Sequence, residues 1–139
     1  MAAVVAAILA AFLAGAIALF RERRLEARRL RIAARVVKAT VEDALVVSVL
    51  VSEGKFSWEK MCAVLSKEEL SQLWDAHRDV LAGHLSREEW ISTQGAISRW
   101  MRIFLAEPST PDSPGWDKFW TRMKTDLRDA QQTLDSYCD

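Results

Sequence analysis

The first twenty residues, MAAVVAAILAAFLAGAIALF, are apolar without interruption, and Arg21-Glu22-Arg23-Arg24 follows at once. A helix rises ~1.5 Å per residue, so a run of this length covers nearly all of a ~30 Å hydrocarbon core. The pattern predicts a transmembrane anchor over residues 1–20. Inside it, small residues pair as Ala2-Ala3, Ala6-Ala7, Ala10-Ala11 and Ala14-Gly15, with bulky pairs between. This four-residue period sets Ala3, Ala7, Ala11 and Gly15 along one ridge of the helix. Lipid supplies no hydrophobic force between helices, and close backbone approach over small side chains favours their association. The ridge is therefore expected to pack on a second transmembrane helix, from another copy or a partner. The plainer alternative is an alanine-rich composition in accidental phase.

From Arg21 to Ser52 there is neither proline nor glycine, and the helix is expected to continue out of the membrane. Two stripes run along it at steps of three and four. One is basic: Arg21, Arg24, Arg28, Arg31, Arg35 and Lys38. The other is Ala27, Leu30, Ala34, Val37, Val41, Ala44, Ser48 and Val51, an a/d-type seam about 120° around the helix. Such a seam fits either a coiled-coil dimer or the inner edge of a bundle. Its small residues, with the extra apolar Leu25, Ile32 and Val36, favour the bundle. The run from Leu45 to Val51 also has strand character, with a turn at Ser52-Glu53-Gly54-Lys55. Helix is preferred, because a lone hairpin is not stable by itself.

Residues 54–139 read as a helical domain punctuated by caps. Ser57 opens a short helix through about Leu65. Ser66-Lys67-Glu68-Glu69 and Ser86-Arg87-Glu88-Glu89 each have the capping-box form, and Gly83 fits the left-handed position that ends a helix. Leu70, Leu73, Trp74, His77, Val80, Leu81 and His84 share one face. Trp90, Ile97, Trp100, Met101, Phe104 and Leu105 share another, before a proline-rich break from Pro108 to Gly115. The last helix has the cleanest pattern: Trp116, Phe119, Trp120, Met123, Leu127, Ala130, Leu134 and Tyr137. The boxes lie twenty residues apart while Trp58, Trp74 and Trp90 are spaced by sixteen, so shared capping chemistry explains them better than duplication. The tryptophans are read mainly as core, each worth ~150–250 Å² of buried area. Trp58, Trp116 and Trp120 are the candidates for the rival reading, an aromatic partner surface.

Charge decides the direction of the anchor. The net charge is zero, but residues 21–38 hold eight basic groups against two acidic ones, whereas residues 39–139 carry a net −6. Positive flanks stay on the cytoplasmic side, which places the N-terminus outside and the domain inside. A cleaved signal peptide is the competing reading, since Ala14/Ala16 and Ala16/Ala18 fit the small-residue cleavage rule. The basic block directly after the apolar run favours an uncleaved anchor. Arg21, Arg23, Arg24 and Arg28 are near enough to meet anionic lipid headgroups, or they serve solely to orient the span.

Candidate chemistry is sparse. His77 and His84 are two turns apart, ~10 Å along the axis, too far to share one metal. On an apolar face they read as hydrogen-bonded interior histidines. Cys62 and Cys138 form no ligand or redox motif. No phosphate loop, nucleophile elbow, HExxH or CxxC occurs. The turn at Gly83 has a helix-turn-helix outline, but a net-acidic domain argues against nucleic acid. The expectation is an all-α chain in three parts: an anchor over 1–20, a basic seam helix over 21–53 and a helical domain over 54–139. It has no catalytic site, metal or cofactor. Its expected partners are membrane lipid and a protein, or its own copy, met through the transmembrane and seam helices. Leu30, Ala34, Val37 and Val41 are the seam positions assigned to that contact. The function this supports is that of a small accessory or regulatory subunit. A ligand-binding or enzymatic domain around His77 and His84 is the alternative, and an exported protein a third.

Overall fold

The computed structural model describes residues 2–104 and 112–139, with side chains from Val4 onward. These form five helices: α1 (Ala2–Ser52), α2 (Trp58–Val64), α3 (Lys67–Ala82), α4 (Arg87–Arg102) and α5 (Trp116–Asp135). There is no strand among the described residues, so the run from Leu45 to Val51 is helical. Leu105, Pro108 and the start of the proline-rich break lie outside the described residues.

α1 is one unbroken rod of 51 residues, about 75 Å at ~1.5 Å per residue. Its two halves live differently. Every described side chain from Val4 to Arg29 is exposed, whereas Ala33, Ala34, Val37, Val41, Ala44, Ser48 and Val51 are buried. The seam is thus covered by the chain's own helices, and the bundle edge is the arrangement realised. The outer seam residues differ: Ala27 is exposed and Leu30 half-buried, while Leu25 and Ile32 face outward.

α5 supplies most of the cover and runs antiparallel to α1. Lys124 meets Ser52, Gln131 meets Glu42, and Lys38 meets Asp135. Trp120, Met123, Leu127, Ala130 and Leu134 are fully buried along one face of α5. The small residues of α1 let this row approach closely, and Ser48 satisfies its buried hydroxyl by donating to the Ala44 carbonyl at 2.7 Å. α4 is antiparallel to α5, with Tyr137 at Glu89 and an Arg99–Asp126 ion pair. α3 closes the bundle against α1 and α4, where Trp74 and Trp90 stack at 5.7 Å. α2 sits at the end remote from the apolar rod, pinned by the Trp58 indole N–H donating to the Ile103 carbonyl at 3.1 Å.

Local signals were realised unevenly. Ser86 forms the full reciprocal box, its hydroxyl accepting from the Glu89 N–H and its own N–H donating to the Glu89 carboxylate. At Ser66 only the first half forms: the hydroxyl accepts from the Glu69 N–H at 3.2 Å, while the Glu69 side chain lines an open groove. Gly83 is not left-handed. It keeps helical angles (φ −76°, ψ −14°), and the buried Leu85 and the Ser86 cap carry the reversal instead. Among the described residues, Gly54 (φ +67°) takes the left-handed conformation, ending α1. Trp116 and Trp120 lie in the core at 7% and 0% exposure, which removes them as a partner surface. Trp58 is half-buried.

Two expectations follow for the full chain in detergent, read by thermal unfolding. Gly54→Ala should cost about 1–2 kcal/mol, because a Cβ there must adopt the left-handed region. Gly83→Ala should be neutral or stabilising by up to about 1 kcal/mol, since its new Cβ meets the Asp79 carbonyl at an ordinary 3.5 Å.

The Glu89 cluster sets a pH dependence. The Ser86 backbone N–H, then the Tyr137 hydroxyl, hold the Glu89 carboxyl below the usual carboxylate range. The same hydrogen bond raises the Tyr137 phenol. A depressed carboxyl contributes stability above its unfolded pKa of ~4.3, and that contribution is lost as pH falls through the folded value. Glu89→Gln should therefore lower the melting temperature at neutral pH, with the loss shrinking as pH falls through the depressed folded value of Glu89. An equal loss at neutral and at acidic pH would contradict this.

Candidate functional site

Among the described residues, two surfaces and one small cavity stand out. The first surface is the projecting half of α1. Val4, Val5, Ile8, Leu9, Phe12, Leu13, Ile17, Leu19 and Phe20 are each more than half exposed. Among the described residues this is the one helix long and apolar enough to cross a membrane, a test that a signal sequence also passes. Ala7, Ala11 and Gly15 lie exposed along it, and a Cβ built on Gly15 would meet nothing within 4 Å. The side chain of Ala3 lies outside the described ones.

The basic stripe, one feature in the sequence, is divided in the fold. Arg21, Arg24 and Arg28 of the stripe stand exposed, as does Arg23 beside it, and the Arg24 guanidinium lies 4.7 Å from the centre of the Phe20 ring. Arg31, Arg35 and Lys38 turn instead to the C-terminal end of α5. Arg35 donates twice to the Cys138 carbonyl, at 3.0 and 2.7 Å, and Arg31 donates to the Asp139 carbonyl at 3.2 Å. Lys38 pairs with Asp135, whose hydrogen bond raises the ammonium pKa, and lies 3.7 Å from Glu42. Cys138 and Asp139 lie beyond Asp135, the last residue of α5, so the two arginines hold the tail that follows the helix; Lys38, at Asp135, is the cation placed at the helix end itself, where the dipole favours it. α5 has no basic residue in its own last turn, and Lys38 of α1 brings one there. That absence was a readable signal; which helix would answer it was not.

The second surface is a groove of about 240 Å³ between α1 and the start of α3. Its floor is Ala44, Leu70, Leu73 and Trp100, and its rim carries Thr40, Asp43, Ser66 and Glu69. Behind it lies a cavity of about 20 Å³ bounded by Val37, Val41, Trp74, Ile97, Met101 and Leu127. The cavity has room for one water but apolar walls that give it few partners, so it is expected to stay dry. The groove is smaller than the ~300–1,000 Å³ typical of small-molecule sites, and its rim holds two carboxylates and two hydroxyls with no cysteine or histidine.

The histidines fall apart as a pair. His84 is exposed, with Nδ1 2.8 Å from the Val80 carbonyl, and is not an interior residue. His77 is half-buried on the preceding turns. Among the described residues, no three His, Cys, Asp or Glu side chains are placed to share a metal ion. Cys62 and Cys138 are both free and half-buried, and burial pushes the Cys62 thiol up. In the core, Thr93 Oγ1 and Trp120 Nε1 have no hydrogen-bond partner among the described residues, and neither lines the groove or the cavity. The chain matches no protein-family model, no curated protein and no solved structure.

Proposed function

We propose that this chain is a single-pass membrane protein that acts by binding. Its N-terminal rod is an uncleaved anchor, and its helical bundle stands on the cytoplasmic side as a small accessory or regulatory unit. The observation that carries this reading is the run of exposed apolar residues from Val4 to Phe20, which no part of the bundle covers. Contiguous apolar surface on that scale marks a membrane or partner contact in soluble surroundings. The basic groups that follow favour retention of the bundle on the cytoplasmic side.

Self or partner contact falls to the transmembrane ridge of Ala7, Ala11 and Gly15. The seam residues Leu30, Ala34, Val37 and Val41 are occupied in packing the bundle or bordering it, so the soluble part offers no second copy the inner face of α1. Backbones that approach over small residues gain van der Waals contact that Leu side chains would block.

Purification from membranes in mild detergent, with intact-mass analysis, tests the reading. The full-length chain should be recovered with a stoichiometric membrane partner or with a second copy. Ala7→Leu with Ala11→Leu should reduce that recovery several-fold while leaving the melting temperature of the bundle unchanged. A mature chain beginning near Leu19 would overturn the anchor. Unaltered association in the double variant would overturn the ridge.

A further inference from the structure

The sequence presents six basic residues as a single stripe, yet the structure divides them at a particular height. Phe20 is the last apolar residue of the rod. At ~1.5 Å per residue, Arg21 to Arg28 lie within about 12 Å of it, whereas Arg31, Arg35 and Lys38 lie about 17–27 Å beyond. The polar layer on each side of a bilayer is only some 5–8 Å thick, and its field decays over a Debye length of about 8–10 Å. Among the described residues, Arg21, Arg23, Arg24 and Arg28 make no salt bridge, whereas Lys38 pairs with Asp135 and Arg31 and Arg35 hold the tail that follows α5. Helical side chains also lean toward the N-terminus, which here is toward the apolar rod. Arg24 does this visibly, its guanidinium drawn back over the Phe20 ring.

Building on the anchor reading, we infer that Arg21, Arg23, Arg24 and Arg28 form a contact site for the phosphates of anionic phospholipid headgroups, while Arg31 and Arg35 are structural. Guanidinium groups suit this partner, because each presents a planar fork of donors to phosphate oxygens. Exposed side chains at successive heights and azimuths meet several headgroups rather than one enclosed ion. The two groups of arginines therefore answer to different tests, although their spacing in the sequence is continuous.

The full-length chain is reconstituted into phosphatidylcholine vesicles with and without phosphatidylglycerol, floated, then extracted for native mass spectrometry of retained lipid. The wild-type chain should float with both and retain phosphatidylglycerol in excess of its share. Replacing Arg21, Arg23, Arg24 and Arg28 by Gln should bring that ratio to about one with the melting temperature unchanged. Arg31→Gln with Arg35→Gln should keep the ratio and lower the melting temperature. Retained preference in the fourfold variant, or its loss in the double variant, would overturn the assignment. Sodium phosphate should act no differently from sodium chloride at equal ionic strength; selective abolition by phosphate would point to a soluble anion and overturn the lipid as source. Flotation with both vesicles but no preference would sink this inference and leave the anchor standing. Flotation with anionic vesicles alone would support the headgroup contact and overturn the span, and no flotation would overturn both.

Discussion

The packing of α5 onto the distal half of α1 is the interaction on which the bundle depends. Small residues at Ala34, Ala44 and Ser48 form the trough, and the buried row from Trp120 to Leu134 fills it. This is the most extensive helix pairing among the described residues; α4 packs on α5, and α3 on α1 and α4, to complete the core. Polar contacts fix the register from one end to the other, from Lys124 at Ser52 to Arg35 at the Cys138 carbonyl. The last of these holds the tail beyond α5, whose own final carbonyls are met from the turn, Leu134 by the Tyr137 N–H and Asp135 by the Cys138 N–H.

Because α1 is also the projecting rod, this packing ties the bundle to whatever surrounds residues 4–20. No glycine or proline interrupts α1 between Arg21 and Ser52, and kinks generally need one of these or a bulge. On the anchor reading the bundle is held at a fixed height, beginning at Leu30 about 15 Å beyond the last apolar residue. The end it turns toward the bilayer carries the C-terminus of α5 and the Gly83–Ser86 turn. The groove of Asp43 and Glu69 lies farther off, away from the membrane.

What could be read from the sequence was whatever depends on local spacing. The five helices, the inward face of α5 and the Ser86 box follow from periodicity and capping chemistry, and all are realised. The seam was legible as an apolar line, but its occupant was not, since a copy and a neighbouring helix want the same residues. Gly83 misled because glycine marks left-handed ends by frequency, whereas here buried Leu85 and the next cap turn the chain from helical angles. His84 misled because α3 ends at Ala82 and His84 lies in the turn beyond it, where helical spacing no longer decides which way a side chain faces. The division of the basic stripe was invisible for a different reason: it depends on the middle of α1 meeting residues about a hundred positions away in the sequence.

The central claim is that residues 4–20 lie within lipid while the same helix emerges near Arg21. Nitroxide labels placed singly at positions 12, 20, 32 and 46, with Cys62 and Cys138 replaced by serine, measure this in reconstituted vesicles. Position 12 should be accessible to oxygen and shielded from a water-soluble nickel complex, with the balance reversing just beyond position 20 and fully reversed at positions 32 and 46. Nickel accessibility at position 12 equal to that at position 32 would contradict the account.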